Sequence, residues 1–457
     1  MPEPFTALIM AAGKGTRMRS SLPKVLHPVC GRPMVEWVVD AARAAGAQDV
    51  VCITRPGDGV GEGLPDGLTI AEQTEGEGTG SAVLAAREAA PEGNVVVLSG
   101  DHPLIAADLI ERLVGEHVRE KAAATLLTTE KLDPEGYGRI VRGADGAVER
   151  IVETKVAENV PEEELAIGEI NIGTYVFEAA ELWPALDAVS ETRGERFLTD
   201  AFPVILQAGK KVASHLTGDV SSALGVNSRV ELMEAERLGQ RRILEHHARA
   251  GVTFESPESI RVEAGVEIGE DTVIGPATTL VGDTSIGARC LIGPATTISD
   301  SQLADGVTCL HSFLVQARVE ANATLGPFAY LRPGAHIGEN AKIGTFVEVK
   351  NSDIGAGAKV PHLSYLGDAD VGEGANVAAG NITANYDGFE KHRTQIGKSA
   401  KTGVHTSFVA PVSVGEGAYT GAGSVIGEDV PDGALGISRP EQKNIEGYAE
   451  RKEKERE

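Results

Sequence analysis

The chain has 457 residues, with 42 Lys plus Arg against 67 Asp plus Glu and a formal net charge of −25. At about 100–200 residues per domain this length predicts two or three domains, and 42% hydrophobic residues supply a core for each, which excludes long-chain disorder. So acidic a chain repels phosphate backbones and anionic lipid over long range; general nucleic-acid binding and membrane attachment are excluded, and small anionic substrates stay open wherever basic residues cluster. The four cysteines, Cys30, Cys52, Cys290 and Cys309, match neither zinc-ligand spacing nor a disulfide framework. They read as free buried thiols of a reducing cytoplasm. The start, MPEPFTALIM, lacks a basic n-region, and no apolar run reaches the ~18–20 residues that span a bilayer. A cytoplasmic, soluble protein is expected.

In chain order, Phe5–Met10 is an apolar run before a Gly-rich turn. Met34–Ala45 has helical spacing, Val50–Ile53 reads as a strand, Ser81–Ala89 as a helix, and Val95–Leu98 as a buried strand ending at Ser99-Gly100-Asp101. This alternation predicts an α/β domain, a Rossmann-like mostly parallel sheet with helices on both faces. Such sheets bind ligands at the carboxyl ends of their strands, where the Gly-rich turn and Asp101 both fall. Ser228–Gly251 reads as a connecting helix, with Ser228 and Glu231 as a capping box and Gly251 as its stop.

Beyond residue 260 the period changes to six. Ile268, Ile274, Leu280, Ile286, Ile292 and Ile298 recur at that spacing, as do Leu325, Leu331, Ile337, Ile343 and Val349, and the period returns at Ile396, Phe408, Val414 and Ile426. Gly follows many of these aliphatics. A six-residue period fits neither a helix nor simple strand alternation; it predicts a hexapeptide β-helix, with each aliphatic inside a triangular prism. A Gly-rich linker would not hold aliphatics on a fixed period. Thr383–Thr394 breaks the period and is expected to loop out of the prism.

The turn after the first strand reads Ala11-Ala12-Gly13-Lys14-Gly15-Thr16-Arg17-Met18, followed by Leu22-Pro23-Lys24. Gly13 and Gly15 let backbone N–H groups approach a phosphate, Arg17 offers a bidentate fork and Lys24 a mobile charge. Gly-x-Gly alone is weak and could be a structural turn. The whole stretch, however, matches neither the Rossmann fingerprint nor the P-loop, and it resembles the G-x-G-T-R-M-x4-P-K motif of sugar-phosphate nucleotidylyltransferases. That resemblance implies that Ala11, Ala12 and Gly13 cradle the nucleotide, that Arg17 and Lys24 act in catalysis, and that Gln73, Gly78 and Thr79 read uracil. It further implies that Ser99 and Gly100 flank the metal turn, that Gly138, Glu153 and Asn171 hold the sugar, and that Asp101 and Asn227 hold Mg²⁺. Read without the family, Asp101 could equally be a helix N-cap before Pro103. Choice of UTP over dTTP rests on the resemblance of the Gln73 loop.

Farther on, Arg332, Lys350, Pro361-His362-Leu363-Ser364-Tyr365, Asn376, Ala379 and Asn385-Tyr386-Asp387-Gly388 cluster within a few coils. A lone His on a solenoid is more often structural than catalytic, but this one has company. The constellation resembles the acetyltransferase half of bifunctional UDP-N-acetylglucosamine pyrophosphorylase/glucosamine-1-phosphate N-acetyltransferases, and the resemblance covers nearly the whole chain. It implies a left-handed β-helix and a homotrimer with acetyl sites shared between subunits. His362 becomes the base that deprotonates the glucosamine amine, and Asn385 holds that amine or polarises the thioester. Arg332 and Lys350 grip the sugar phosphate, Tyr365 and Asn376 the sugar; Ala379, Tyr386, Val404, Ala422 and Arg439 fall where the family binds acetyl-CoA. One departure stands out: the family usually has Gly-Ser-Asp where this chain has Gly403-Val404-His405.

The expected organisation is a uridylyltransferase domain over 1–227, a linker helix over 228–251, an acetyltransferase β-helix over 252–437 and a charged tail, solvated helix or disordered, over 438–457. The expected substrates are UTP, N-acetylglucosamine-1-phosphate, glucosamine-1-phosphate and acetyl-CoA. A second reading keeps the nucleotidylyltransferase and makes the β-helix an oligomerisation or regulatory module, as in ADP-glucose pyrophosphorylases; a nonenzymatic scaffold is a third.

Overall fold

The computed structural model describes residues 3–153, 160–192 and 194–456. The chain divides into two compact units, Met1–Arg241 and Arg242–Glu457, and the division falls inside the helix Arg229–Arg249. Among the described residues no helix is long and apolar enough to cross a membrane.

The first unit is built on a sheet whose main strands run Val212–Leu216, Ala124–Thr129, Ile170–Glu178, Asn94–Ser99, Phe5–Met10, Ala47–Thr54, Thr69–Glu72. Phe5–Met10 pairs in parallel with Ala47–Thr54 on one side and Asn94–Ser99 on the other. The chain therefore moves outward in both directions from its first strand, and a crevice opens at that strand's carboxyl end. The sheet is mixed: Ile170–Glu178 runs antiparallel to both of its long neighbours, and Arg139–Arg142 with Val148–Val152 form an antiparallel pair at its end. Side chains two apart share a face, so consecutive apolar residues feed two cores. Leu8, Val51, Ile53, Val95 and Val97 pack into one core with the helices Thr79–Ala85 and Ala179–Ala188. Ala7, Ile9, Val50, Cys52, Val96 and Leu98 pack into the other with Met34–Ala44 and Ala107–Glu120.

The second unit is a parallel β-helix of three sheets with 7, 10 and 9 strands. Each coil adds one short strand to each face. Ile274, Ile292, Cys309, Leu325, Ile343 and Val360 stack up one inner wall, and Leu280, Ile298, Leu314, Leu331, Val349 and Leu366 up a second. All are buried, as are Ile396, Phe408, Val414 and Ile426. Backbone hydrogen bonds run from coil to coil, which satisfies peptide groups inside the wall. Small residues are obligatory at the corners: a Cβ on Gly338 would lie 2.7 Å from the Ala356 nitrogen, and one on Gly355 the same distance from that of Glu373. Between Ile382–Ala384 and Thr394–Ile396 the chain leaves the wall as a loop with Phe389 at 92% exposure. The tail carries a short exposed helix, Tyr448–Lys454; Glu457 lies outside the described residues. All four cysteines are buried, and none forms a disulfide.

Candidate functional site

In the first unit, the Ala11 N–H donates to the Ile53 carbonyl (2.8 Å), which launches the turn from the end of the first strand. Gly15 adopts φ 56, and a Cβ there would come 2.7 Å from the Lys24 Cβ. Glycine is what lets the turn close over Lys24. A cavity of about 370 Å³ opens at this end of the sheet, lined among others by Ala12, Gly13, Lys24, Gln73, Gly78, Thr79, Ser99 and Asp101. Gly100 is tightly seated as well, since a Cβ would stand 3.0 Å from the Met10 carbonyl oxygen. Arg17 is exposed on the 3₁₀ turn Thr16–Met18 and does not line the cavity.

Two oxygens converge on the Lys24 ammonium. It pairs with the Asp101 carboxylate and donates to the Asn227 side-chain oxygen at 3.1 Å, all three side chains being largely buried. Burial opposes the charge on Asp101, but the Lys24 ammonium, with His102 beside it, holds the carboxyl below its usual range. A carboxylate and an amide oxygen facing one cation form a hard-donor pair of the kind a divalent ion takes, with further ligands drawn from substrate. Asn227 is held from behind: the Glu231 carboxylate accepts its backbone N–H at 2.7 Å. The capping box is thus shifted by one residue. Ser228 Oγ accepts from the Glu231 N–H at 3.4 Å, as expected, but the return bond goes to Asn227 instead of Ser228.

The three residues expected at the sugar also meet. A Cβ on Gly138 would lie 3.5 Å from Glu153 Oε1 and 3.6 Å from the Asn171 Cβ, and the Asn171 N–H donates to the Gly138 carbonyl at 2.9 Å. Asn171 also donates to the Tyr175 hydroxyl at 2.7 Å. Burial, and then Glu231 and Asp101, push the Tyr137 hydroxyl up. Among the residues of the cavity wall that sequence reasoning missed are two charged ones, Arg55 and Glu77. A signal existed for Arg55: it is the first residue beyond the strand Ala47–Thr54, at the ligand-binding edge.

In the second unit, Tyr365–Gly367 pairs with Glu348–Lys350 on one wall. Gly367 lets side chains meet above it, since a Cβ would lie 2.6 Å from Tyr365 Cζ and 2.9 Å from Asn385 Nδ2. Asn385 in turn donates to the buried Asp368, which also receives Asn351 and stands 3.6 Å from the Lys350 ammonium. Burial opposes the charge on Asp368, but the two amides and the Lys350 and Lys391 cations hold its carboxyl below the usual range. Lys391 was not singled out from the sequence. It lies in the period-breaking segment, and the Lys350 ammonium beside it, with Arg332 farther off, pushes its own ammonium down. Two cations, Lys350 and Lys391, thus face one carboxylate, with the Arg332 charge acting on Lys391 from farther off. Arg332 itself pairs with Glu348 at 2.8 Å.

His362 ends the strand Lys359–His362 and is exposed; its carbonyl accepts from Ser364 Oγ at 2.8 Å and from the Gly380 N–H at 3.2 Å. Along the same corner, the Ala379 carbonyl accepts from the His405 N–H, the Val404 carbonyl from the Gly423 N–H, and the Ala422 carbonyl from Arg439 Nη1. Four of the five residues expected at acetyl-CoA thus form one ladder, with Val404 45% exposed. Tyr386 is exposed on the loop and donates to the Gly388 carbonyl at 2.7 Å. Asn376 is not brought to Tyr365. It stacks between Lys359 and Lys401 on a different wall.

Residues 7–206 match the model of the MobA-like NTP transferase domain, and residues 316–351 that of the bacterial transferase hexapeptide (six repeats). The chain is 47% identical over 451 residues to the bifunctional protein GlmU of Brevibacillus brevis, covering 97% of this chain and 96% of that one. It is 44% identical to the bifunctional protein GlmU of Clostridioides difficile and 46% to that of Halalkalibacterium halodurans, each covering 98% of both chains. Both halves are matched in one continuous alignment at this identity, and the chain belongs to the family of bifunctional GlmU proteins.

Proposed function

We infer that the chain is an enzyme with two activities: it acetylates glucosamine-1-phosphate with acetyl-CoA, then transfers UMP from UTP to N-acetylglucosamine-1-phosphate, giving UDP-N-acetylglucosamine and pyrophosphate. The observation that carries the first site is the convergence of Asp101 and Asn227 on Lys24 at the carboxyl end of the central strand. A phosphate oxygen of the sugar attacks the α-phosphorus of UTP, the bond to the bridging oxygen breaks, and pyrophosphate leaves. No side-chain nucleophile is needed, so the protein's part is positioning and charge neutralisation. Asp101 and Asn227 would hold Mg²⁺, which supplies charge to the phosphates. Among the described residues no group of three or more His, Cys, Asp or Glu is placed for a metal, so two protein oxygens plus substrate is the arrangement that fits. Lys24 neutralises phosphate charge once it leaves these oxygens, and Arg17 does so by swinging inward from the exposed turn. Gly78, Thr79 and Gln73 take the base, and Gly138, Glu153 and Asn171 the sugar.

At the second site, His362 accepts a proton from the glucosamine amine as its nitrogen attacks the thioester carbonyl; the C–S bond breaks and coenzyme A leaves. Arg332, Lys350 and Lys391 take the sugar phosphate, supported by the mutual repulsion of Lys350 and Lys391, to which Arg332 adds. Asn385 and Tyr365 orient the amino sugar, and the Ala379–Val404–Ala422–Arg439 ladder lies along coenzyme A. Asn376 on another wall supports a site completed by a second chain, and we propose the trimer on that ground. Four cysteines without a disulfide favour a cytoplasmic setting. A noncatalytic β-helix is not favoured, because the relatives match across it. The test is one incubation of glucosamine-1-phosphate, acetyl-CoA, UTP and Mg²⁺, read by product mass, with Asp101→Ala and His362→Ala alongside. Asp101→Ala is expected to abolish pyrophosphate release and leave coenzyme A release intact; His362→Ala is expected to abolish coenzyme A release and to release pyrophosphate only when N-acetylglucosamine-1-phosphate is supplied. Normal pyrophosphate release by Asp101→Ala would refute the metal role.

A further inference from the structure

Arg55 is anchored where a triphosphate would need it. Its Nε donates to the Ala12 carbonyl at 2.8 Å, inside the phosphate turn, and it lines the cavity that Lys24 and Asp101 also line. Its two terminal nitrogens both face Glu77, at 3.3 and 2.5 Å, and Lys14 Nζ reaches the same carboxylate at 3.0 Å. Glu77 sits between Gln73 and Gly78 in the loop assigned to the base, so one carboxylate joins two cations across the mouth of the cavity. The arrangement is that of an anion site already filled by an anion. A guanidinium offers a bidentate fork that fits carboxylate and phosphate alike, so the one can replace the other.

We propose that Arg55 is a further nucleotide-binding residue, and that Glu77 is a built-in surrogate for the triphosphate, holding Arg55 and Lys14 in place until UTP phosphates displace it. This rests on the uridylyltransferase reading of the same cavity. The geometry accounts for two features at once: Nε stays on Ala12 whichever anion occupies the fork, and release of Glu77 frees the base loop from the phosphate turn just as nucleotide arrives. The cost is competition, since UTP must break an exposed ion pair before it gains its own contacts.

The experiment measures the UTP dissociation constant by calorimetry and the UTP KM by pyrophosphate release. The proteins are the full-length wild type, Glu77→Gln, Arg55→Ala, Arg55→Lys and the Arg55→Ala/Glu77→Gln double variant, each checked for a wild-type melt. Glu77→Gln is expected to tighten UTP by about two- to fivefold, the range of an exposed ion pair. Arg55→Ala is expected to weaken it roughly tenfold or more, as loss of charge-assisted hydrogen bonds does, with Arg55→Lys between the two. In the Arg55→Ala background, Glu77→Gln should gain less than it does alone. Unchanged or weaker UTP binding by Glu77→Gln, or wild-type binding by Arg55→Ala and Arg55→Lys, overturns the proposal while leaving uridylyl transfer intact. A wild-type protein that neither binds UTP nor releases pyrophosphate overturns both.

Discussion

Gly78→Ala should disable uridylyl transfer through the backbone alone. Gly78 has φ 92, a conformation that L side chains rarely adopt. A Cβ there would collide with the carbonyl oxygen of Arg196 and stand 2.9 Å from its nitrogen. The Arg196 segment cannot simply give way: its N–H donates to the Glu77 carbonyl at 2.9 Å, its carbonyl accepts from the Gly80 N–H at 2.8 Å, and the Leu198 N–H donates to Thr79 Oγ1 at 3.0 Å. Left-handed strain costs roughly 1–2 kcal/mol and overpacking about 1–3 kcal/mol. The least costly relaxation lifts the base loop off this segment, and a loss of about 2–4 kcal/mol there corresponds to roughly thirty- to several-hundred-fold in kcat/KM for UTP. Gly93→Ala is the control, since its φ is 80 but nothing lies within 4 Å of the added carbon. The assay is pyrophosphate release with UTP varied, and coenzyme A release serves as an internal standard. A kcat/KM for UTP within threefold of wild type in Gly78→Ala would refute the reasoning.

His117 should make the first unit sensitive to acid. It is buried, its Nδ1 lies 2.9 Å from Thr125 Oγ1, and burial pulls its pKa from 6.5 down to about 4. The unfolded chain then binds a proton that the folded one refuses, so stability is full above about pH 6.5 and falls as pH drops toward 4, by roughly 3 kcal/mol from this residue. Urea midpoints across that window should fall more steeply for wild type than for His117→Gln, and parallel profiles would count against the assignment. Val404→Ser should raise acetyl transfer several-fold if a hydroxyl at this exposed corner restores a donor to the thioester region. No change, or a loss, in coenzyme A release would mean that the site is built around Val404 and His405.

The sequence made the interior of both units readable because burial writes itself into spacing. The aliphatics at Ile274, Ile292 and Ile343 had to recur, since each wall of the prism has room for one inward side chain per strand. The run Phe5–Met10 had to be apolar at all but Thr6, since it feeds two cores. Strand direction left no such trace: nothing in Ile170–Glu178 announces that it runs backward, because direction is set by the connections on either side. The phase of the repeat also carries information about walls: Asn376 lies one coil beyond Lys359 and so on that residue's wall, apart from that of Tyr365. Lys391 and Glu77 were out of reach, because their roles come from meeting charges far along the chain and no local pattern encodes such pairings; Arg55 left a trace only in its place just beyond a strand's carboxyl end.

The glycine corners set a rule for how this solenoid can change length. Where a Cβ on Gly338 would strike Ala356 and one on Gly355 would strike Glu373, each turn of the chain forms the floor of the next. Partners on one inner wall stand 18, 17 and 16 residues apart at Ile274–Ile292, Ile292–Cys309 and Cys309–Leu325, so a storey gains or loses a residue between strands while the strands keep register, whereas one extra residue within a strand would throw the corner after it out of line. The excursion that carries Phe389 avoids the penalty by leaving and re-entering at matched points, much as a balcony adds area without altering the building's frame.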